Sequence, residues 1–121
     1  MEDTYSHYSR IVENYSRYRP RYPHQLVAWL KAECGLSPAH IVADIGAGTG
    51  LMAELFIKNG NQVYGVEPNV EMRLAAEHLL RSYPLFTSIA ATAEATTLAD
   101  HSVQLITAIS LKFSAVIPIR Q

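Results

Sequence analysis

The chain alternates between helical and strand-like spacing of its apolar residues, and the switches mark its elements. From His24 to Cys34 the apolar positions Leu26, Val27, Leu30 and Cys34 recur every three or four residues, with Trp29 alongside. That spacing predicts a helix packed on the rest of the chain, capped by Gly35. Ser37-Pro38 turns the chain into Ile41-Val42-Ala43-Asp44-Ile45, an apolar run too short for a helix and closed by glycines, which predicts a strand. A helix follows from about Leu51, with Leu51, Leu55 and Phe56 on its core face and Lys58-Asn59-Gly60 at its end. A second strand is expected over Gln62–Glu67, and a helix over Val70 to about Arg81 that buries Met72, Leu74, Ala75 and Leu79. A third strand lies within Leu85–Ala91 and a fourth over Val103–Ile109. Strand, helix, strand in so short a space is a βαβ unit, so its strands are parallel with a right-handed crossover.

Composition fits one domain with a core: 121 residues, of which 49% are hydrophobic. A formal net charge of −1 gives no general attraction to nucleic acid or an anionic membrane. A single cysteine, Cys34, excludes an internal disulfide and reads as a structural thiol, which suits a cytoplasmic protein. The five histidines show no metal-binding spacing, so no metal site is expected. No apolar run approaches the roughly 20 residues of a membrane span. Three segments are distinguished: a helical cap over 1–23, the main α/β domain over 24–109, and an atypical tail over 110–121. The cap holds five of the seven tyrosines and four arginines. Such a mixture can stack on single-stranded nucleic acid, but a helix with its tyrosines packed on the domain and its arginines in water is the favoured account, and no nucleic-acid partner is expected.

The chemistry concentrates where the first strand ends. Asp44-Ile45-Gly46-Ala47-Gly48-Thr49-Gly50 places three glycines at alternate positions. Glycine enters φ > 0 without a Cβ clash and leaves no side chain between the backbone and a ligand. The first N–H groups of the following helix face the same turn. Glu67, at the end of the second strand and about 20 positions after Gly46, is placed to accept hydrogen bonds from ribose hydroxyls. A dinucleotide fingerprint, G-x-G-x-x-G, would need its third glycine where this chain has Leu51. A nicotinamide-dependent oxidoreductase is therefore the weaker reading.

The word Asp44-x-Gly46-x-Gly48-x-Gly50 resembles the first motif of the class I S-adenosylmethionine-dependent methyltransferases. Val66-Glu67-Pro68-Asn69 with Met72 resembles their second motif, and Ala93-Glu94 after the third strand their third. The segment Tyr15-x-x-x-Arg19-Pro20-x-Tyr22-Pro23 is similar to the entry segment of their small-molecule members. The resemblance implies a Rossmann-like, doubly wound parallel sheet in the order 3-2-1-4, incomplete, with helices on both faces. It also implies S-adenosyl-L-methionine as cofactor and S-adenosyl-L-homocysteine as product. The residues it assigns to the cofactor are Asp44, Gly46, Ala47, Gly48 and Gly50 in the turn and Glu67, Pro68 and Met72 beyond it. Ala93 and Glu94 fall at the adenine edge, and Tyr15 and Arg19 at the amino-acid end. Asn69 reads as the cap of the helix that follows.

The resemblance runs from about Tyr8 to Ala108 and then stops; relatives continue into the part that forms the acceptor pocket. No catalytic residue is assigned, and the acceptor is expected to be a small molecule. The alternative is a non-catalytic remnant or regulatory protein acting through a dimer surface. An unpaired fourth strand would leave open N–H and C=O groups. The tail Phe113-Ser114-Ala115-Val116-Ile117 has strand propensity and is stopped by Pro118. It could cover its own edge or reach into a partner, and a homodimer is expected from this.

Overall fold

A computed structural model describes residues 3–17, 23–109 and 114–118; Arg19, Pro20, Tyr22 and Phe113 lie outside them. The elements run α1 (Thr4–Arg17), α2 (Gln25–Cys34), β1 (Ile41–Ile45), α3 (Leu51–Lys58), β2 (Gln62–Val66), α4 (Val70–Leu79), β3 (Phe86–Ile89), β4 (Leu105–Ile109) and β5 (Ser114–Pro118). The sheet order is β3-β2-β1-β4-β5. The first four strands are parallel, in the expected order, with β1 central. The tail adds β5 antiparallel to β4, in register from Leu105↔Pro118 to Ile109↔Ser114. Of the two courses open to the tail, the chain takes the first and covers its own fourth strand.

Side chains alternate across a strand, so register sorts the sheet into two faces. Val42 pairs with Val63 and with Leu105, and all three are buried on one face. Against them pack Val27 and Leu30 of α2, Met52, Ala53, Phe56 and Ile57 of α3, and Leu80 just past α4. The other face, carrying Ala43, Ile45 and Ile106, is crossed by the non-helical segment that joins β3 to β4. Helix α1 lies outside α4: Tyr8 meets His78 edge to face at 6.2 Å, and His7 Nδ1 stands 3.8 Å from Glu71 Oε1. Asp3 starts this helix by accepting the Ser6 N–H at 2.7 Å.

Two details of packing depart from the spacing argument. In α3 the buried side is Met52, Ala53, Phe56 and Ile57, with Leu51 and Leu55 only half-buried. The segment Leu-Met-Ala-Glu-Leu-Phe-Ile-Lys is apolar nearly all round, so periodicity does not select a face. In α4 the residues at closest approach are Ala75, Ala76 and Leu80, while Met72, Leu74 and Leu79 are half-buried. Small side chains are needed there because Leu80 packs directly on the glycine turn: a Cβ at Gly50 would come within 2.6 Å of Leu80 Cδ1. Trp29, one position off the α2 core stripe, is 56% exposed.

One buried polar side chain ties the lower end of the sheet together. Asn61, fully buried before β2, donates from Nδ2 to the Ser37 carbonyl (2.9 Å) and the His40 carbonyl (2.8 Å). Its Oδ1 accepts from Asn59 Nδ2 at 2.8 Å. Replacing it by alanine strands two carbonyls away from water. Asn61→Ala is expected to lower unfolding stability by about 2–4 kcal/mol in urea denaturation. A loss below about 1 kcal/mol would show that the two carbonyls find other partners.

Candidate functional site

The turn after β1 is held from below and open above. Gly46 and Ala47 both donate their N–H to the carbonyl of Val66, the last residue of β2, at 2.8 and 3.1 Å. Gly50 donates to the Ala47 carbonyl at 2.9 Å and begins α3 without any side-chain cap. Gly46, Gly48 and Gly50 have φ of +69°, +58° and +87°, in the left-handed region that only glycine enters freely. A Cβ at Gly46 or Gly48 would meet nothing within 4 Å, so the turn presents bare backbone to open space. Gly50 instead faces inward onto Leu80 and Ala76. The three glycines thus serve two purposes: two expose the backbone, and one lets α3 pack.

Glu67 closes one side of this space. It follows the last residue of β2, at the carboxyl edge of the parallel sheet, where open α/β folds bind ligands. Its Oε1 accepts the Gly48 N–H at 2.7 Å and its Oε2 the Asn69 N–H at 2.9 Å. Its backbone N–H donates to the Ile89 carbonyl at 3.0 Å, and Arg73 Nη1 donates to its backbone carbonyl at 3.2 Å. Two hydrogen bonds thus orient the carboxylate and two more fix the backbone that carries it, before any ligand arrives. Each of its oxygens retains a second lone pair that can accept a hydroxyl. Asn69 caps α4 as expected, with Oδ1 accepting the Met72 N–H at 2.9 Å.

Asp44 has a different character. Its neighbours in register are Gly65 on β2 and Thr107 on β4. Gly65 offers no side chain; a Cβ there would sit 2.7 Å from the Phe86 ring. Thr107, fully buried, donates from Oγ1 to Asp44 Oδ1 at 2.8 Å. Asp44 Oδ2 is buried without a hydrogen-bond partner among the described residues, and the residue is 2% exposed. Burial pushes the carboxyl up to about 7; the Thr107 hydroxyl pulls it down, and the charge of Glu67 raises it further.

The other residues singled out from the sequence spread around this centre. Pro68 is exposed beside Glu67, and Met72 is half-buried in the first turn of α4. Ala93 and Glu94 sit exposed at the tip of a turn closed by a Thr92–Ala95 bridge. That turn follows β3, whose end is tied to Glu67 through the Ile89 carbonyl. Tyr15 belongs to α1, its side chain outside the described part together with Arg19. Two contributors escaped the sequence: Thr107, which partners Asp44, and Arg73, which braces Glu67. Arg73 stands six positions after Glu67, within reach across one helical turn, so its spacing was a usable signal; Thr107 had none. A separate concavity of about 240 Å³ lies on the opposite sheet face, between Ala43, Ile45 and Ile106 and the segment 96–103.

An exposed glycine backbone, a helix N-terminus and an oriented carboxylate at adjacent strand ends form the arrangement that Rossmann-like folds present at the carboxyl edge of their sheet. Residues 43–115 match the family described as methyltransferase domain, and the chain belongs to that family. It is 32% identical over 99 residues to an uncharacterized methyltransferase of Mycobacterium tuberculosis, covering 82% of this chain and 38% of that protein. A candidate type II methyltransferase from Anaeromyxobacter dehalogenans superposes with a TM-score of 0.61 at 34% identity, covering 75% of this chain and 36% of that one. A candidate S-adenosyl-L-methionine-dependent methyltransferase from Methanococcus maripaludis shares the fold at 15% identity, with a TM-score of 0.71 over 93% of this chain and 53% of that one. The chain thus spans about two fifths of the length of the curated relatives it matches. Among the described residues no helix is long and apolar enough to cross a membrane, and no cluster of metal-ligating side chains occurs.

Proposed function

We propose that this chain is the cofactor-binding part of an S-adenosylmethionine-dependent methyltransferase that acts on a small-molecule acceptor. The observation that carries the reading is the 2.7 Å hydrogen bond from Gly48 N–H to Glu67, which joins the glycine turn and the strand-end carboxylate into one cradle. The residues present fit such a cofactor. Open space over Gly46 and Gly48 admits it against the backbone, Glu67 has lone pairs for two ribose hydroxyls, and Asp44, when ionised, would offer a negative charge to the sulfonium. By the family resemblance, Pro68, Met72, Ala93 and Glu94 would face the adenine. Bound there, S-adenosylmethionine supplies a methyl group already activated for transfer. The protein's part is to hold the donor, aim it and keep water out, and orientation of this kind can lower a barrier by several kcal/mol.

Calorimetry of the intact chain with S-adenosylmethionine, S-adenosylhomocysteine and NAD tests the assignment. The first two are expected to bind and NAD is not, because half-buried Leu51 stands where a dinucleotide fingerprint has its third glycine. Binding of NAD alone would make the site that of an oxidoreductase. Binding of none would favour a non-catalytic protein. Glu67→Gln removes the charge and turns a hydrogen-bond donor toward the Asn69 N–H or the Gly48 N–H. It is expected to weaken cofactor binding by roughly 10- to 100-fold, the worth of hydrogen bonds to a charged group. An unchanged dissociation constant would take Glu67 out of the site.

A further inference from the structure

We propose that Thr107 is a positioning residue for this site: its hydroxyl, donated to Asp44 across β1 and β4, decides whether that buried carboxyl carries charge when the turn receives a cationic ligand. The inference rests on the cofactor reading above and adds to it a residue on a strand that none of the motifs includes. Its basis is geometric. Asp44 is the last but one residue of β1, directly before the glycine turn. Among the described residues its Oδ1 has a single partner, Thr107 Oγ1 at 2.8 Å, and its Oδ2 has none. On β2 the position beside it is Gly65, which supplies no donor, and the Phe86 ring occupies the room above that glycine.

Among the described residues, the charged groups on the surrounding elements do not favour ionisation. Glu67, at the end of β2, is a like charge and opposes it. Glu54, in the first turn of α3, is a second buried acid. Lys31 and Glu33 of α2 are exposed. Among the described residues, Thr107 is thus the one group beside Asp44 that favours the anion, as a hydrogen bond donated to a carboxylate does. A sulfonium entering the turn would add an opposite charge and complete the shift, so a cation should bind better where the carboxyl ionises readily. The neutral thioether S-adenosylhomocysteine should respond less.

The test compares wild type, Thr107→Val and Thr107→Ser, each checked for cooperative melting. Dissociation constants for S-adenosylmethionine and S-adenosylhomocysteine are measured from pH 5.5 to 8.5. In wild type, S-adenosylmethionine affinity is expected to rise with pH through about 7 and to level off about one unit higher, once Asp44 is ionised. In Thr107→Val the rise should move up by about one pH unit, which is about tenfold weaker binding at pH 6 and near-equal binding at pH 8.5. Thr107→Ser keeps the hydroxyl and should follow wild type within about twofold. Binding with one common pH profile in all three proteins overturns the proposal and leaves the cofactor assignment standing. No binding by any of them, at any pH, overturns both.

Discussion

Asp44→Asn is expected to stabilise the ligand-free protein above neutral pH while weakening its hold on the cofactor. The ordinary carboxyl titrates near 3.8, and the folded protein raises Asp44 to about 7, chiefly by burial. Below about 4 the group is protonated in both states and costs nothing. Between these values the folded chain keeps a proton that the unfolded chain gives up, so stability falls as pH rises. Above about 7 the anion is buried and the loss is complete. It is on the order of a few kcal/mol, because each tenfold change in proton affinity is worth about 1.4 kcal/mol. Asparagine can still accept from Thr107, and it has no charge to bury. Its stability should therefore stay level from pH 5 to pH 8, where wild type declines. Urea midpoints at those two pH values decide the matter; parallel curves for the two proteins would mean that Asp44 does not titrate as its surroundings require. The same substitution deletes the negative charge offered to a sulfonium, so binding should weaken even as the fold strengthens. Stability given up at a binding site is a common trade.

Gly48→Val should leave a folded protein with at least about 100-fold weaker cofactor binding, a change of roughly 2.7 kcal/mol. Two effects act together. The position has φ of +58°, which a β-branched residue adopts only with strain of about 1–3 kcal/mol. The added side chain meets no protein atom within 4 Å, so it projects into the space where the ligand would lie. Gly50→Ala is the informative control. Its Cβ would press on Leu80 Cδ1 at 2.6 Å in the core, so its effect should appear in the melting temperature first. Calorimetry and thermal melting of the two variants separate the roles. If Gly48→Val bound the cofactor as well as wild type, the exposed half of the turn would not be the binding surface.

These expectations draw on different levels of the molecule. The run from Ile41 to Glu67 was legible because everything in it is local. A short apolar strand, three glycines where the backbone must turn left-handed, a helix and a second strand allow one parallel unit, and its carboxyl edge locates Gly48 and Glu67. The cap at Asn69 was legible for the same reason, since a cap acts within three residues. The α3 face was not, because Leu51 and Leu55 are as apolar as Met52 and Ile57 and only docking on β1 and β2 separates them. The course of the tail was also open. A strand-forming segment ended by Pro118 suits either its own sheet or another, and pairing with β4 settles it.

By itself, then, the sequence determined the order of elements, the parallel sheet and the place where the backbone is left bare, since each follows from propensity and spacing over a few residues. The tertiary structure alone decided the electrostatics of that place. Thr107 lies 63 residues from Asp44 and reaches it only because β4 returns beside β1. Gly65 leaves Asp44 Oδ2 without a partner only because the strands align in this register. A carboxyl's ionisation depends on what lies within a few ångströms, and in a sheet of crossed-over strands those neighbours come from distant parts of the chain.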